Sequence, residues 1–270
     1  MLQTRIKTAV KEAILSAPGG KTLQQWWQRR HVHRAESQWG LPEIAQKFVA
    51  EHGWHVQQGP FAGMRYVPCG GGSNFVNKLL GAYESELHGV LAEIARTPYS
   101  VVVNIGCAEG YYAVGLARLL PDARIHAFDL DARARRGCKM TAEVNRVSAR
   151  VDVKSLCNHE QLSILLKDGK PLVVSDCEGC EYELLDITRV PMLGRADILI
   201  ELHNCGNSSK LETFLAAFSA THHVQRICRV ERNADDYPTL NFLRPEQRHI
   251  AAREFRDADQ QWAFLTSRPG

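Results

Sequence analysis

VVVNIGCAEG, residues 101–110, places an apolar run directly before a glycine-flanked turn, and a helical pattern follows from Tyr111. A second apolar run, residues 125–128, ends at Asp129. A buried strand, a tight glycine turn, a helix and an acidic residue after the next strand form a nucleotide-binding unit of a parallel sheet. Glycine lets the backbone approach a ligand closely, and a carboxylate can accept both hydroxyls of a ribose. This stretch therefore predicts a nucleotide site.

The alternation of strand-like and helix-like segments continues toward the C-terminus, and it predicts an α/β fold with a largely parallel sheet. The polar connection at residues 231–260 contains Pro238 and Pro245 and has no clear helical pattern. Because only parallel neighbours need a crossover helix, we expect the last strand to run antiparallel. The prediction is a seven-stranded sheet, six strands parallel and one antiparallel, flanked by helices. The predicted strands are residues 101–105, 125–128, 150–153, 172–175, 198–202, 224–230 and 262–266.

The first 95 residues differ from the rest, since they carry helical patterns without intervening strands. These patterns cover residues 4–15, 23–34, 42–52 and 75–95, and a glycine-rich loop lies at residues 70–73. We therefore predict two parts: residues 1–95 as a helical N-terminal extension or cap, and residues 96–270 as the sheet domain.

Composition narrows the class of protein. The 270 residues are 44% hydrophobic and 23% charged, which is ordinary for a globular protein, and the net charge of +3 is too small to favour a nucleic-acid partner. No apolar run is long enough to span a membrane. The eight cysteines, without a secretory signal, are expected to be reduced thiols of a cytoplasmic protein. Cys177 and Cys180 form C-x-x-C, but the second pair typical of a zinc site is missing.

The glycine turn also bears on the choice of cofactor. Glu109 lies within it, and a carboxylate beside the diphosphate of NAD is unfavourable. S-adenosylmethionine carries no phosphate and suits this turn better. Asp129 is then predicted to bind the ribose, Asn104 the amino-acid end of the cofactor, and Cys157 or Asn158 the adenine edge. The predicted cofactor-binding set is Asn104, Gly106, Cys107, Ala108, Gly110, Asp129, Leu130, Cys157, Asn158 and Asp176.

Three segments together resemble the FkbM-type methyltransferase family. They are NIGCAEG at residues 104–110, the D-x-E-G-x-E pattern DCEGCE at residues 176–181, and the E-x-H pattern ELH at residues 201–203. The similarity covers roughly residues 75–205. It implies a Rossmann-like fold of the class I methyltransferases, S-adenosylmethionine as donor, and a small-molecule or glycan acceptor methylated on a hydroxyl. Asn104 and Asp129 stand where Asp and Glu are common in that family.

The predicted catalytic residues are His203, Asp176 and Glu178, because they follow the fourth and fifth strands at the edge where parallel sheets bind ligands. His203 is the best candidate for a general base, since an imidazole titrates near neutrality. Glu201 and His203 share one face of a strand and with Asp176 can ligate a divalent metal, although no metal is predicted from the sequence.

The connection between the last two strands is expected to lie over this edge as a lid on the acceptor. Tyr237, Arg244 and His249 are its candidate acceptor contacts. Two other functions stay open at this point. One is an NAD-dependent oxidoreductase, which Glu109 disfavours, and the other is an inactive binding or scaffold module. The sequence leaves the oligomeric state open.

Overall fold

The structure, a computed structural model, describes residues 39–67, 75–177, 179–203, 208–255 and 260–268. The helical patterns predicted at residues 4–15 and 23–34, the glycine-rich loop at residues 70–73 and the candidate residue Glu178 lie outside the described residues.

Seven strands form one sheet in the order β3-β2-β1-β4-β5-β7-β6. All neighbouring strands pair in parallel except β7, which is antiparallel to both β5 and β6. The predicted α/β fold, with six parallel strands and one antiparallel strand, is confirmed. The strands are β1 (Val101–Ile105), β2 (Arg124–Phe128), β3 (Val151–Lys154), β4 (Pro171–Ser175), β5 (Asp197–Leu202), β6 (His222–Cys228) and β7 (Gln261–Ser267).

Both faces of the sheet are covered, because β1, β4 and β5 are buried along their whole length. Val102 of β1 contributes to the core on one face and its neighbour Val103 to the core on the other, as the two-residue period of a strand requires. The described helices are α1 (Leu41–His52), α2 (Phe75–Leu80), α3 (His88–Arg96), α4 (Tyr111–Leu119), α5 (Ala132–Val144), α6 (His159–Leu165), α7 (Glu181–Leu184), α8 (Ser208–Ala217) and α9 (Pro245–Ala252).

The single helix predicted over residues 75–95 is interrupted in the structure. Helix α2 ends at Leu80, a 3-10 turn covers Ser85–Leu87, and α3 begins at His88. Gly81 causes the break, since its φ is 78° and a Cβ there would lie 1.9 Å from the carbonyl oxygen of Gln58. The chain must turn where the loop before α2 passes closely, and the apolar spacing alone did not indicate this contact.

Helix α9 was not predicted, and the polar connection that contains it is a packed part of the molecule. Its sequence PEQRHIAA offers few apolar residues, and it buries mainly Ala251 and Ala252. Leu240 and Leu243, just before α9, are also buried in the core that includes α1 and α2. This connection, predicted to be a lid on the acceptor, is therefore packed against the N-terminal helices, and its role as a lid stays a prediction.

Residues on both sides of the predicted domain boundary share one hydrophobic core. Phe48 of α1 and Leu79 of α2 belong to the same buried cluster as Val102 of β1 and Leu116 of α4. The division into parts 1–95 and 96–270 stays a prediction.

A disulfide joins Cys177 and Cys180 in the turn before α7. The expectation that all cysteines are reduced thiols is therefore wrong for this pair, whose Cα atoms lie 5.8 Å apart and within the range a disulfide requires. Three other cysteines, Cys107, Cys138 and Cys157, are free and buried. None of the helices in the described ranges combines the length and apolar character needed to cross a bilayer.

Candidate functional site

The turn after β1 brings two loops together at the carboxyl edge of the sheet. Gly106 has a φ of 79°, and a Cβ there would lie 1.7 Å from the carbonyl oxygen of Asp176, the residue after β4. Glycine at this position is therefore required by the neighbouring backbone of Asp176. Ala108 also has a positive φ, of 44°, an unusual conformation for a residue with a side chain.

Asp129 holds the glycine turn in place from the end of β2. Its carboxylate accepts one hydrogen bond from the Ala108 backbone N–H at 2.9 Å and another from the Asp131 backbone N–H at 2.8 Å. Burial raises the pKa of Asp129, and these two hydrogen bonds oppose the rise by stabilising the charged form. Asp129 is thus part of the turn itself as well as the predicted ribose ligand.

Asn104 and Cys107, two further residues of the predicted cofactor set, are almost fully buried. Asn104 is 1% exposed, and its amide donates to the Val174 carbonyl of the neighbouring strand at 3.3 Å. Its Oδ1 atom has no hydrogen-bond partner among the described residues. The neighbouring Cys138 thiol, together with burial, raises the pKa of Cys107 well above its usual value. Cys107 is therefore a protonated, packed thiol.

The predicted adenine-side residues follow β2 and β3, which are neighbours in the sheet. Leu130 is 71% exposed, which leaves its apolar side chain open to a ligand. Cys157 is buried, and burial raises the pKa of its thiol to about 12. The Asn158 side chain accepts a hydrogen bond from the Gln161 backbone N–H and caps α6. The structure thus brings these residues to the same edge as Asp129.

Glu109 points into the protein and pairs with the region before β1. Its carboxylate accepts a hydrogen bond from the Tyr66 hydroxyl at 3.1 Å and lies 3.9 Å from the ammonium of Lys78. Lys78 itself is buried between aromatic rings, 4.9 Å from the ring centroid of Tyr83 and 5.9 Å from that of Tyr111. The sequence predicted that Glu109 would repel a diphosphate. Because the ammonium of Lys78 partly neutralises Glu109, this repulsion is weaker than expected.

His203 follows β5 and is surrounded by carboxylates. Its Nε2 atom lies 3.7 Å from Asp176 Oδ1 and 3.4 Å from Glu201 Oε2, and its Nδ1 atom lies 3.0 Å from Glu181 Oε1. Glu181 and Glu201 side chains are 0% and 1% exposed, whereas Asp176 and His203 retain partial exposure. The structure therefore brings together two of the predicted catalytic residues, His203 and Asp176, at one opening.

Glu181 is a site residue that the sequence argument missed. It is the last acidic residue of the D-x-E-G-x-E pattern, and its Oε1 atom also accepts a hydrogen bond from the Cys177 backbone N–H at 2.8 Å. From the sequence, Glu181 was interpreted only as the first residue of a helix. Its position in the motif was the signal that could have identified it.

The lid residues fall into two groups. Tyr237 is buried, and burial raises its pKa, while Arg244 and His249 are exposed. Their contact with an acceptor stays a prediction.

Comparisons with known proteins find solved structures with a similar fold but no protein with a similar sequence. No protein-family model matches the chain, and no curated protein matches it. An rRNA methylase from Streptococcus thermophilus has a TM-score of 0.48 at 13% identity, covering 68% of this chain and 97% of that one. A putative rRNA-methylase from Clostridium thermocellum has a TM-score of 0.47 at 13% identity, covering 68% and 96%.

A third solved structure is the O-methyltransferase TomG from Streptomyces achromogenes, in complex with SAM. It has a TM-score of 0.46 at 15% identity, covering 68% of this chain and 79% of that one. At TM-scores below 0.5 these likenesses carry no argument about cofactor or acceptor.

The arrangement combines two chemical capabilities on one edge of the sheet. The glycine turn and Asp129 offer a backbone cradle with a carboxylate at its side. The His203 cluster offers an imidazole and carboxylates that can accept a proton or bind a cation. The backbone contact between Gly106 and Asp176 ties the two together.

Proposed function

We propose that this chain is an S-adenosylmethionine-dependent methyltransferase of the FkbM type, acting on a hydroxyl of a sugar, glycan or natural product. The observation that carries the proposal is the sheet order β3-β2-β1-β4-β5-β7-β6, in which antiparallel β7 lies between β5 and β6. Six parallel strands with an antiparallel seventh are the sheet of class I methyltransferases. Ligands of open parallel sheets bind beyond the carboxyl ends of the strands.

In this proposal the cofactor lies across the ends of β1, β2 and β3. Asp129 supports this placement, because a carboxylate has about four acceptor positions and only two are used by described backbone groups. The ribose hydroxyls take the remaining positions. The adenine then lies toward Leu130, Cys157 and Asn158, and the methionine part toward Asn104 and the glycine turn.

The acceptor binds beside His203 and Asp176. Methyl transfer from a sulfonium is an in-line displacement, so the enzyme must align the acceptor oxygen, the methyl carbon and the sulfur. An alcohol must also lose its proton, and His203 is the proposed group that receives it. Asp176 borders the same opening in this proposal, and the catalytic role of Glu178, which lies outside the described residues, rests on the sequence alone. Residues 1–95 and the α9 connection form the proposed cap that selects a small-molecule or glycan acceptor.

Isothermal titration calorimetry of the full chain tests the cofactor. S-adenosylmethionine and S-adenosylhomocysteine should bind at micromolar concentrations, and NAD should not. Asp129→Ala should abolish binding of both adenosyl ligands, whereas Asp122→Ala, a change of an exposed carboxylate, should leave it intact. Binding of NAD alone would overturn the proposal in favour of an oxidoreductase. Binding of none of the three would favour an inactive scaffold module.

His203→Ala separates catalysis from cofactor binding. The variant should keep the wild-type affinity for S-adenosylhomocysteine and lose methyl transfer by about 10²–10⁴-fold, the usual contribution of proton transfer. Transfer of a radioactive methyl group to a glycan and natural-product mixture, with structured RNA as a parallel acceptor, measures this. Methylation of the RNA alone would overturn the proposed acceptor class.

A further inference from the structure

We infer that Asp176, Glu201 and His203 bind one divalent transition-metal ion, with Glu181 holding His203 in position. The four side chains come from the ends of β4 and β5 and from the start of α7. One ligand atom each from Asp176, Glu181 and His203 lie within 4.8 Å of one another, and Glu201 joins this cluster through its Oε2 atom, 3.4 Å from His203 Nε2. Binding of the ion does not depend on the proposed function, but its role in activating the acceptor hydroxyl rests on that function.

The distances around His203 Nε2 fit ligands of an ion better than hydrogen bonds. Nε2 lies 3.7 Å from Asp176 Oδ1 and 3.4 Å from Glu201 Oε2. Both separations exceed the usual N–H···O range of about 2.7–3.2 Å. Ligands that are each about 2.1 Å from a common ion lie about 3.0 Å apart at right angles and about 3.4 Å apart in a tetrahedron.

Glu181 has the position of an outer-sphere partner. Its Oε1 atom lies 3.0 Å from His203 Nδ1, the other ring nitrogen, at an angle outside that of a hydrogen bond, so the ring must rotate for Nδ1–H to donate to it. Histidine ligands commonly donate their second N–H to a carboxylate, which fixes the tautomer and orients the ring toward the metal. The Cys177 backbone N–H, donating to the same Oε1 atom, holds this carboxylate in turn.

The burial of Glu181 is the second, independent indication of a cation. Its side chain is 0% exposed, and its Oε2 atom has no hydrogen-bond partner among the described residues. A buried carboxylate is costly unless it is paired. A divalent ion beside His203 would stabilise the three carboxylates that surround this imidazole.

The donor set favours Mn²⁺ or Zn²⁺ over Mg²⁺ or Ca²⁺. Carboxylates suit all four ions, but an imidazole nitrogen suits transition metals, whereas Mg²⁺ and Ca²⁺ prefer oxygen alone. In the proposed methyltransferase the ion would bind the acceptor hydroxyl and lower its pKa, as bound metals do for water. With the ion bound, His203 would be a ligand and the hydroxyl proton would pass to solvent, whereas without the ion His203 would receive the proton as proposed above.

The test begins with full-length protein stripped of metal by a chelator and titrated with Mn²⁺. Mn²⁺ is the first probe because it has little affinity for the cysteine thiols of the chain. Electron paramagnetic resonance counts bound ions, and calorimetry measures affinity. We expect one Mn²⁺ per chain and an increase in melting temperature, with Zn²⁺ competing and Mg²⁺ binding much more weakly.

Three isosteric variants assign the site. Glu201→Gln should lose Mn²⁺ binding, and Glu181→Gln should weaken it by about 10–100-fold, as loss of an outer-sphere carboxylate does. Glu212→Gln, on an exposed side chain of α8, should bind like the wild type. In chelator, Glu201→Gln should melt at a higher temperature than the wild type, because one buried like charge is gone. This last readout also shows that the variant folds.

Absence of Mn²⁺ and Zn²⁺ binding by the wild type would overturn the metal site. So would binding that Glu201→Gln and Glu181→Gln leave unchanged. Titration of S-adenosylhomocysteine into the same chelated protein keeps the two proposals separate. Intact binding of that ligand without metal binding would refute the ion alone, whereas metal binding without the adenosyl ligand would refute the proposed function alone.

Discussion

At the scale of single residues, Gly106 determines how closely the loops after β1 and β4 approach each other. Its missing side chain allows the carbonyl of Asp176 to approach, and its φ of 79° is one that glycine adopts without strain. The glycine turn after β1 and the acidic segment after β4 are in contact through this one position. A single methyl group there should disturb both.

Gly106→Ala should therefore lower the free energy of unfolding by about 2–5 kcal/mol, since left-handed strain and a backbone clash add. Gly89→Ala is the matched control, because Gly89 lies in α3 with nothing within 4 Å of an added Cβ. That change should leave stability unchanged or raise it by up to about 1 kcal/mol. Urea denaturation measures both, and equal effects would contradict the contact with Asp176.

Asp129 should make cofactor binding sensitive to acid. Because burial raises its pKa above the ordinary 3.8, the carboxylate is protonated at a higher pH than a free aspartate. The raised pKa means that the folded state favours protonated Asp129. The stability that protonation of Asp129 contributes is therefore lost as pH rises through its pKa in the folded protein. Affinity for S-adenosylhomocysteine should change in the opposite direction and fall as pH is lowered through the same value.

Calorimetry from pH 7 downward, limited to the range in which the protein stays folded, measures this dependence. Asp129→Asn should bind weakly at every pH. A wild-type profile as flat as that of the variant would mean that the ribose does not need this carboxylate.

At the scale of elements, the packing of α9 on α2 decides what the polar connection does. Asn77 of α2 is 1% exposed, and its amide donates to the carbonyls of Ala251 and Arg253, both at 2.9 Å. These carbonyls belong to the C-terminal end of α9, where helix carbonyls have no partner within the helix. Asn77 therefore anchors this helix end to the N-terminal region.

Asn77→Ala should lower the free energy of unfolding by about 2–3 kcal/mol, because two buried carbonyls lose their donor. Asn241→Ala, at an exposed position before α9, should change it by less than about 0.5 kcal/mol. Hydrogen exchange should also show earlier opening of residues 245–252 in the Asn77 variant. Unchanged exchange there would argue against the anchor.

At the scale of the whole molecule, Arg232 links the N-terminal region to the C-terminal part. Its guanidinium lies 2.6 Å from Glu86 and 2.7 Å from Glu254, and all three side chains are at most 5% exposed. Its Nε also donates to the Ala82 carbonyl at 3.0 Å. Residues 82–86 precede the sheet and residue 254 follows α9, so one cation joins distant parts of the chain.

Arg232→Met should cost about 3–5 kcal/mol of stability, because two buried carboxylates lose their cation. Arg226→Met is the control, since its pair with Glu212 is on the surface and should contribute at most about 1 kcal/mol. Chemical denaturation of both variants checks this. Equal losses would show that the burial of Arg232 gives no special contribution.

The strands, the glycine turn and the helices that join the first six strands could be predicted from the sequence. Runs such as VVVNI in β1 and DILIEL in β5 are apolar enough to require a buried parallel sheet, and this requirement is local. Asp129 and His203 could be placed at strand ends for the same reason. The polar segment before β7 correctly predicted an antiparallel last strand, although its helix α9 was missed.

Only the tertiary structure decided which of these residues meet. Glu181 contacts His203 across 22 positions of sequence. Glu109 points into the protein because Lys78 and Tyr66, from a distant helix and loop, contact its carboxylate. Periodicity reports which face of an element is buried, since burial repeats with the geometry of that element. Ion pairs between elements depend on how those elements pack, and packing has no local pattern in the sequence.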